Sequence, residues 1–464
     1  MGLLRKKESN IDMLNGNLNK DLFRFALPLA ATSLLQMLFN SADVAIVGKF
    51  AGDSALAAVG ANTPIITLLV NLFVGMSVGA NVVIAKFLGM KNEKNANVAA
   101  HTAVVIAFLS GIILLVIGEL FAGQIAQIMC VADEIKDMTV LYMRVYFIGM
   151  PVIMLYNFAA AIFRSKGETR LPLVVLTIAG LINVGLNFFF VLVLKMTVDG
   201  VALGTVISNA ISAIVLLYVL FRKEDVLKLS FRKMKINKVI CLQIMKVGIP
   251  SGLQGAVFSV SNIFVQSSVN SLGTIATAAN TTGLYFQMFS YSFANAFGQA
   301  AITFSGQNFG AGNYERCRVV TRKCLLFGIA TSWFLGIIFS VFPTFFGSIY
   351  TDSAETLALI AKQMKIVVFF EFLNCTDDVI SGVLRVYGKV IVPTLVYIVS
   401  ICGTRILWVN TVFLIPSMHN FPGVSMTYPV SWIITNIAIL IAYFIVIKKM
   451  PEMKRKDKKL LNAG

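Results

Sequence analysis

The sequence predicts an all-α integral membrane protein: twelve transmembrane helices in two six-helix lobes related by a pseudo-two-fold axis along the membrane normal. Three observations carry this expectation. The 464-residue chain is 57% hydrophobic and only 13% charged, with a mean hydropathy of +0.81, whereas a soluble globular protein carries roughly 25% charged residues. Its apolar residues gather into twelve long runs. The second half of the chain also repeats the punctuation of the first at a fixed distance.

A hydrocarbon core of about 30 Å takes roughly 20 helical residues to cross. Runs of that order cover 22–48, 57–85, 98–121, 139–163, 171–194 and 200–221, then 242–271, 276–305, 321–347, 361–384, 391–415 and 423–447. The expected organisation is a cytoplasmic N-terminus (1–21), an N-lobe (22–221) and a cytoplasmic linker (222–241). A C-lobe (242–447) and a basic cytoplasmic tail (448–464) follow. The apolar run after the basic start "MGLLRKKESN" is too long for the core of a signal peptide and reads as an uncleaved first span.

The formal net charge of +17 does not indicate nucleic acid, because of where the charge lies. With both termini inside, 32 of the 39 Lys and Arg fall on the inner side and 6 on the outer, while Arg405 lies within a span. That asymmetry is the positive-inside pattern of a multi-pass protein in the cell membrane, beside anionic lipid. The six cysteines (Cys130, Cys241, Cys317, Cys324, Cys375 and Cys402) are scattered, and both histidines are isolated. Neither a disulfide framework nor a metal centre is indicated.

The internal repeat appears on shifting the sequence by 221 residues. Gly52 then meets Gly273, Gly89 meets Gly310, Asn92 meets Asn313, Arg164 meets Arg385, Gly167 meets Gly388 and Pro172 meets Pro393. Pro28 meets Pro250 with one extra residue. Six spans per half is an even number, so both halves enter the membrane the same way. This is the parallel repeat of transporters that rock two bundles about a central site.

No phosphate-binding loop or HExxH occurs, and the one GxSxG match, "GMSVG" at 75–79, lies within an apolar run and not at a strand-to-helix turn. An integral-membrane enzyme is therefore disfavoured, and no cofactor is expected. The informative residues are polar ones inside apolar spans. Asp43 is the only charged residue between Phe25 and Gly48, and an intramembrane carboxylate is a functional candidate by default. Asn183 and Asn187 stand at i and i+4, on one helix face; Asn157 lies in the fourth span and Thr205 near the start of the sixth. Carboxylate, amide and hydroxyl oxygens suit a proton relay or a small hard cation. The second half is not a copy: Val265 takes the place of Asp43, and Glu371, Asp377 and Asp378 gather on the tenth span. Asp378 occupies the repeat position of Asn157, and Glu371 shares its face. Arg405 either neutralises one of these acids as a structural ion pair or leaves them free to act.

Residues 20–448 resemble the multidrug and toxic compound extrusion (MATE) family. The resemblance rests on "ADVAIVGKFAGDSALAAVG", on "AKFLGMKNEKNANVA" with its repeat "SGQNFGAGNYERCRVV", on "FRSKGETRLP" and on "GVALGTVISNA". It implies a V-shaped pair of lobes and export of cationic, amphipathic compounds in exchange for protons or sodium ions, from a monomer. Asp43 then matches the family's first-helix aspartate, and Pro28 the proline at which that helix bends. Asn157, Asn183 and Thr205 match polar residues around the aspartate. Asn187 departs from the pattern, since many members carry a second aspartate there. That loss favours protons over sodium in the first lobe. Phe258 stands near the place of another branch's seventh-span glutamate, and Asn374 where that branch has an aspartate. A coupling site in the second lobe would therefore use Asp377 or Asp378. A lipid-linked oligosaccharide flippase of the same superfamily is the alternative; it would need a cationic cavity, and here the acids outnumber Arg405.

Overall fold

The computed structural model describes residues 11–129 and 131–448. Cys130, the basic start of the chain and the basic tail beyond Lys448 lie outside the described residues. The chain falls into two units, one of Ala31–Gly252 and the other of Asp12–Ala30 with the chain from Leu253 onward. These boundaries cut within helices and not between spans.

In the first unit run the second part of α1 (Leu18–Phe50), α2 (Asp53–Gly89), α3 (Glu93–Ile128), α4 (Asp133–Ile148), α5 (Met150–Ser165), α6 (Arg170–Phe188) and α7 (Val198–Arg222). The unit also takes the start of α8 (Lys238–Asn270). Gly75 and Gly79 of α2 face Gly248 and Gly252 of that segment. A Cβ on Gly75 would come within 2.2 Å of the Gly252 nitrogen, and one on Gly79 within 2.3 Å of the Ile244 carbonyl. Two glycines four apart on each helix let the backbones touch, the small-residue packing that suits helices in lipid. Around this contact, alanines of α3 and the buried Phe147, Phe158 and Leu216 complete an apolar core. The pair α4 and α5 bends by 47° at Gly149, where a side chain would strike Val206 and Pro151 opens the next helix.

The second unit contains α9 (Thr274–Gly310), α10 (Tyr314–Val341), α11 (Pro343–Gly347), α12 (Ala354–Ile366), α13 (Phe372–Val386), α14 (Ile391–Tyr397), α15 (Thr404–Asn410), α16 (Phe421–Ser425) and α17 (Thr427–Lys448). Residues 12–30 belong here: Phe23 packs on Phe297 with ring centroids 5.5 Å apart and Phe25 meets Phe304 edge-on at 5.6 Å.

The duplication is visible in local geometry. Helices α1 and α8 each have 33 residues, and α2 and α9 each have 37. Gly52 and Gly273 precede α2 and α9 with φ of 92° and 98°, a conformation glycine adopts without steric cost. Asn92 and Asn313 cap α3 and α10, their side chains accepting from the backbone N–H three residues on, at 3.0 and 3.1 Å. Gly167 and Gly388 are paired in the same way, at φ 93° and 79°.

Among the described residues the fold is all-α, and eight helices are long and apolar enough to cross a membrane, or nine if the bent α4–α5 pair is one span. Each of the twelve apolar runs coincides with helix, but not each with a single straight one. The tenth is broken: α12 ends at Ile366, a 3-10 turn covers Val368–Phe370, and α13 starts at Phe372. The fifth and eleventh pass through π-helical turns at Phe189–Val193 and Ile398–Gly403.

Candidate functional site

A cavity of about 400 Å³ opens inside the first unit, walled by α1, α2, α4, α5, α6 and α7. Its wall is mixed. Phe39, Ile66, Val70, Ile153 and Leu176 supply apolar surface, while Gln36, Asn40, Asp43, Asn157, Asn183 and Thr205 supply polar groups. Asp43 is the only carboxylate in the lining.

Three donors converge on that carboxylate. Asn187 Nδ2 donates to Oδ1 at 2.6 Å, and Thr205 Oγ1 donates to Oδ2 at 3.2 Å. With its amide turned so that nitrogen meets the carboxylate and oxygen meets a donor, Asn183 gives Oδ1 a further bond at 2.8 Å. Its oxygen then accepts from the Thr205 backbone N–H at 3.2 Å. Asn183 and Asn187 reach the same oxygen because four residues make roughly one helical turn. Hydrogen bonds to an ionised group are the stronger class, and here they fix the carboxylate's orientation.

Two glycines make the arrangement possible. A Cβ on Gly204 would lie 2.2 Å from Asn187 Oδ1, and one on Gly180 would lie 1.9 Å from the Phe39 ring. Gly204 therefore admits the amide that holds Asp43, and Gly180 admits the aromatic wall. Asn157 lines the cavity but bonds to the Ile153 carbonyl of its own helix at 2.9 Å, away from Asp43. Sequence reasoning passed over Gln36 and Asn40, which precede Asp43 by seven and three residues and so share its face. It also passed over Ser208, Asn209 and Ser212, which follow Thr205 at three, four and seven; the helical period was the available signal.

In the second unit the acids are separate from this cavity. Glu371 sits at the break before α13, fully buried, with Oε1 accepting from Asn374 at 2.7 Å and Oε2 without a partner. Asp377 is fully buried and neither of its oxygens is hydrogen-bonded. Asp378 accepts from Asn295 at 3.2 Å, and a Cβ on the facing Gly298 would lie 2.9 Å from its own Cβ. The ion pair between Arg405 and one of these acids does not form. The guanidinium instead donates to Ser431 Oγ at 3.2 Å, Ser261 Oγ at 3.2 Å and Asn262 Oδ1 at 2.5 Å. It also lies 5.1 Å and 4.9 Å from the ring centres of Phe258 and Tyr428. Neutral acceptors and aromatic faces thus take the place of a counter-ion. Pro28 lies inside α1, in the part belonging to the second unit.

A multi-pass helical bundle with a single carboxylate caged by amide and hydroxyl donors in a mixed cavity is the form of a membrane transport protein. The MatE family profile matches residues 28–189 and 250–409, so the chain belongs to the multidrug and toxic compound extrusion family of efflux transporters. It is 28% identical over 438 residues to the probable multidrug resistance protein YoeA of Bacillus subtilis (strain 168), covering 92% of this chain and 93% of that one. It is 27% identical to the probable multidrug resistance protein NorM of Thermotoga maritima over 395 residues, 84% of either chain. In fold it is similar to a multidrug resistance MATE transporter of the MOP superfamily solved in an outward-facing conformation. The TM-score is 0.87 at 20% identity, with 97% of this chain and all of that one covered.

Proposed function

We propose that the chain is a secondary active antiporter. It exports cationic, amphipathic organic compounds in exchange for protons, with Asp43 as the group that changes charge. The observation that carries this reading is the lone Asp43 carboxylate in a half-apolar cavity. In a low-dielectric site a bare carboxylate is costly, and either a proton or an organic monocation removes that cost. One carboxylate serves one of them at a time, so binding of the cation expels the proton and the reverse. That mutual exclusion couples the two fluxes. The apolar wall gives amphipathic surface a place without specifying its shape.

Protons are favoured over sodium by the contacts. Amide nitrogens and a hydroxyl proton point at Asp43, whereas sodium calls for oxygens. On protonation Thr205 has a second acceptor ready, the Val201 carbonyl at 3.1 Å. Pro28, which removes a backbone donor from α1, is the proposed bending point of that helix. Glu371, Asp377 and Asp378, none paired with a cation, extend the reading to a second group that can change charge, with Asn374 holding Glu371. Both termini and the 222–241 linker are assigned to the cytoplasm on the positive-inside pattern.

The test is uptake of ethidium into inside-out vesicles with proton and sodium gradients imposed separately. An acid interior alone is expected to drive uptake, and a protonophore to stop it. Uptake driven by sodium alone, with the proton gradient collapsed and Asp377 and Asp378 neutralised, overturns the proton assignment. Transport of a lipid-linked sugar without ethidium would overturn the antiporter reading.

A further inference from the structure

A second cavity, of about 370 Å³, lies where the 223–237 linker crosses the first turns of α3 and the start of α8, within the first unit. Its cationic lining is Arg232, Lys233 and Lys235, and no acid contributes to it. Among the described residues none of the three makes an ion pair, and two acids of the adjoining loops are held by lysines. Asp225 is bound by Lys166 at 2.7 Å and Lys223 at 3.6 Å, and Glu168 by Lys223 at 2.6 Å.

The loop that presents these cations is fastened to α3. Asn97 Nδ2 donates to the carbonyls of Val226 and Lys228 at 2.8 and 2.9 Å. His101, 1% exposed, accepts the Ser230 N–H on Nε2 at 2.9 Å, so its proton is on Nδ1, facing the Asn97 carbonyl at 2.8 Å. Asn237 N–H donates to Thr102 Oγ1 at 3.3 Å. Three solvent-exposed like charges are held on one fastened loop, and among the described residues no acid lines the cavity to offset them; an anion would. We infer that this cavity binds a phosphate group, and its position at the ends of two spans points to the headgroup of an anionic phospholipid. The ordered loop lowers the entropy cost of capturing the ligand.

Purified full-length protein in detergent is titrated with phosphatidylglycerol, phosphatidylcholine or inorganic phosphate and read by native mass spectrometry. Phosphatidylglycerol is expected to bind more tightly than phosphatidylcholine, by about fivefold for each basic residue engaged. The combined Arg232→Gln, Lys233→Gln, Lys235→Gln variant is expected to lose most of that preference. A control with Lys91→Gln, Lys94→Gln and Lys389→Gln is expected to keep it. If the triple variant proves less stable on heating, the single variants Lys233→Gln and Lys235→Gln carry the test, each expected to lose about fivefold. Displacement of the lipid by inorganic phosphate identifies free phosphate as a sufficient ligand, and failure to displace it identifies the lipid. Equal binding of the two lipids by the parent, or equal losses in triple variant and control, overturns the inference.

Discussion

Asp43→Asn separates the charge of the cavity carboxylate from its shape. In the parent, Oδ1 accepts from Asn187 and Asn183 at 2.6 and 2.8 Å, and Oδ2 accepts from Thr205 at 3.2 Å. An asparagine placed with its oxygen at the Oδ1 position keeps both amide bonds. Its nitrogen then faces the Thr205 oxygen, which accepts once that hydroxyl turns its proton to the Val201 carbonyl at 3.1 Å. The donors of Asn183, Asn187 and Thr205 all stay satisfied, so the stability change should be within about 1 kcal/mol, the scale of one net hydrogen bond. Asp43→Ala offers no such exchange: the amides of Asn183 and Asn187, 3% and 0% exposed, lose their acceptor. Each buried orphan costs about 1–3 kcal/mol, so the alanine variant should be about 2 kcal/mol or more less stable. Thermal unfolding in detergent measures both, and proton-driven ethidium uptake in proteoliposomes measures coupling. Asp43→Asn is expected to unfold near the parent temperature and to accumulate no more ethidium than empty vesicles. Uptake at the parent rate at every pH would refute the coupling role. Equal stability of the asparagine and alanine variants would refute the hydrogen-bond argument.

Asn187→Asp places a second carboxylate beside Asp43, at a contact now 2.6 Å long. Two like charges that close require a proton or a cation between them, so sodium is expected to bind the variant and not the parent, as read by sodium-dependent protection in thermal unfolding. Outside the membrane, burial acts to raise Asp225, but the Lys166 bond and charge, the Leu227 N–H and Lys223 together outweigh it and hold its carboxyl below the ordinary 3.8. A depressed value means stability present above the unfolded range and lost as pH falls through the folded one. Asp225→Asn should therefore loosen the linker by about 1 kcal/mol at pH 7, measured by hydrogen exchange over residues 223–230. The difference between parent and variant should begin to shrink as pH falls past 3.8 and vanish only below the lower folded value. Cysteines introduced at Lys233 and Asp352 should label from opposite sides of the membrane, Lys233→Cys from the cytoplasm; labelling of both from one side would contradict the orientation.

The helical runs and the repeat were legible because each is a local property. Apolar length marks a span, and a glycine at positive φ or an asparagine cap marks its end, as at Gly52 and Asn92 and again at Gly273 and Asn313. The association of Asn183 with Asn187 followed from helical spacing, and Asp43 from its isolation. What sequence could not supply was contact between helices. Arg405 was weighed against acids on one neighbouring span, yet its partners come from α17, the neighbouring span on the other side, and from α8, more than 140 residues away. The break before Glu371 carries no proline or glycine to announce it. Gly180 and Gly204 look like ordinary small residues until Phe39 and Asn187 are seen to fill the space they leave.

The Arg405 nest bears on how the chain is made. A ribosome delivers the eleventh span, 391–414, before α17 exists. Insertion of an arginine at mid-helix costs about 2.5–3.5 kcal/mol during biogenesis, and at that moment only Ser261, Asn262 and Phe258 of α8 are available to meet it. Tyr428 and Ser431 arrive 23 and 26 residues later. Stable insertion of this segment therefore depends on α8 being already in place beside the translocation channel, and truncation before residue 428 should leave the eleventh span poorly retained in the membrane. Helix α17 closes the nest, so the buried cation gains its full set of partners only when that helix docks.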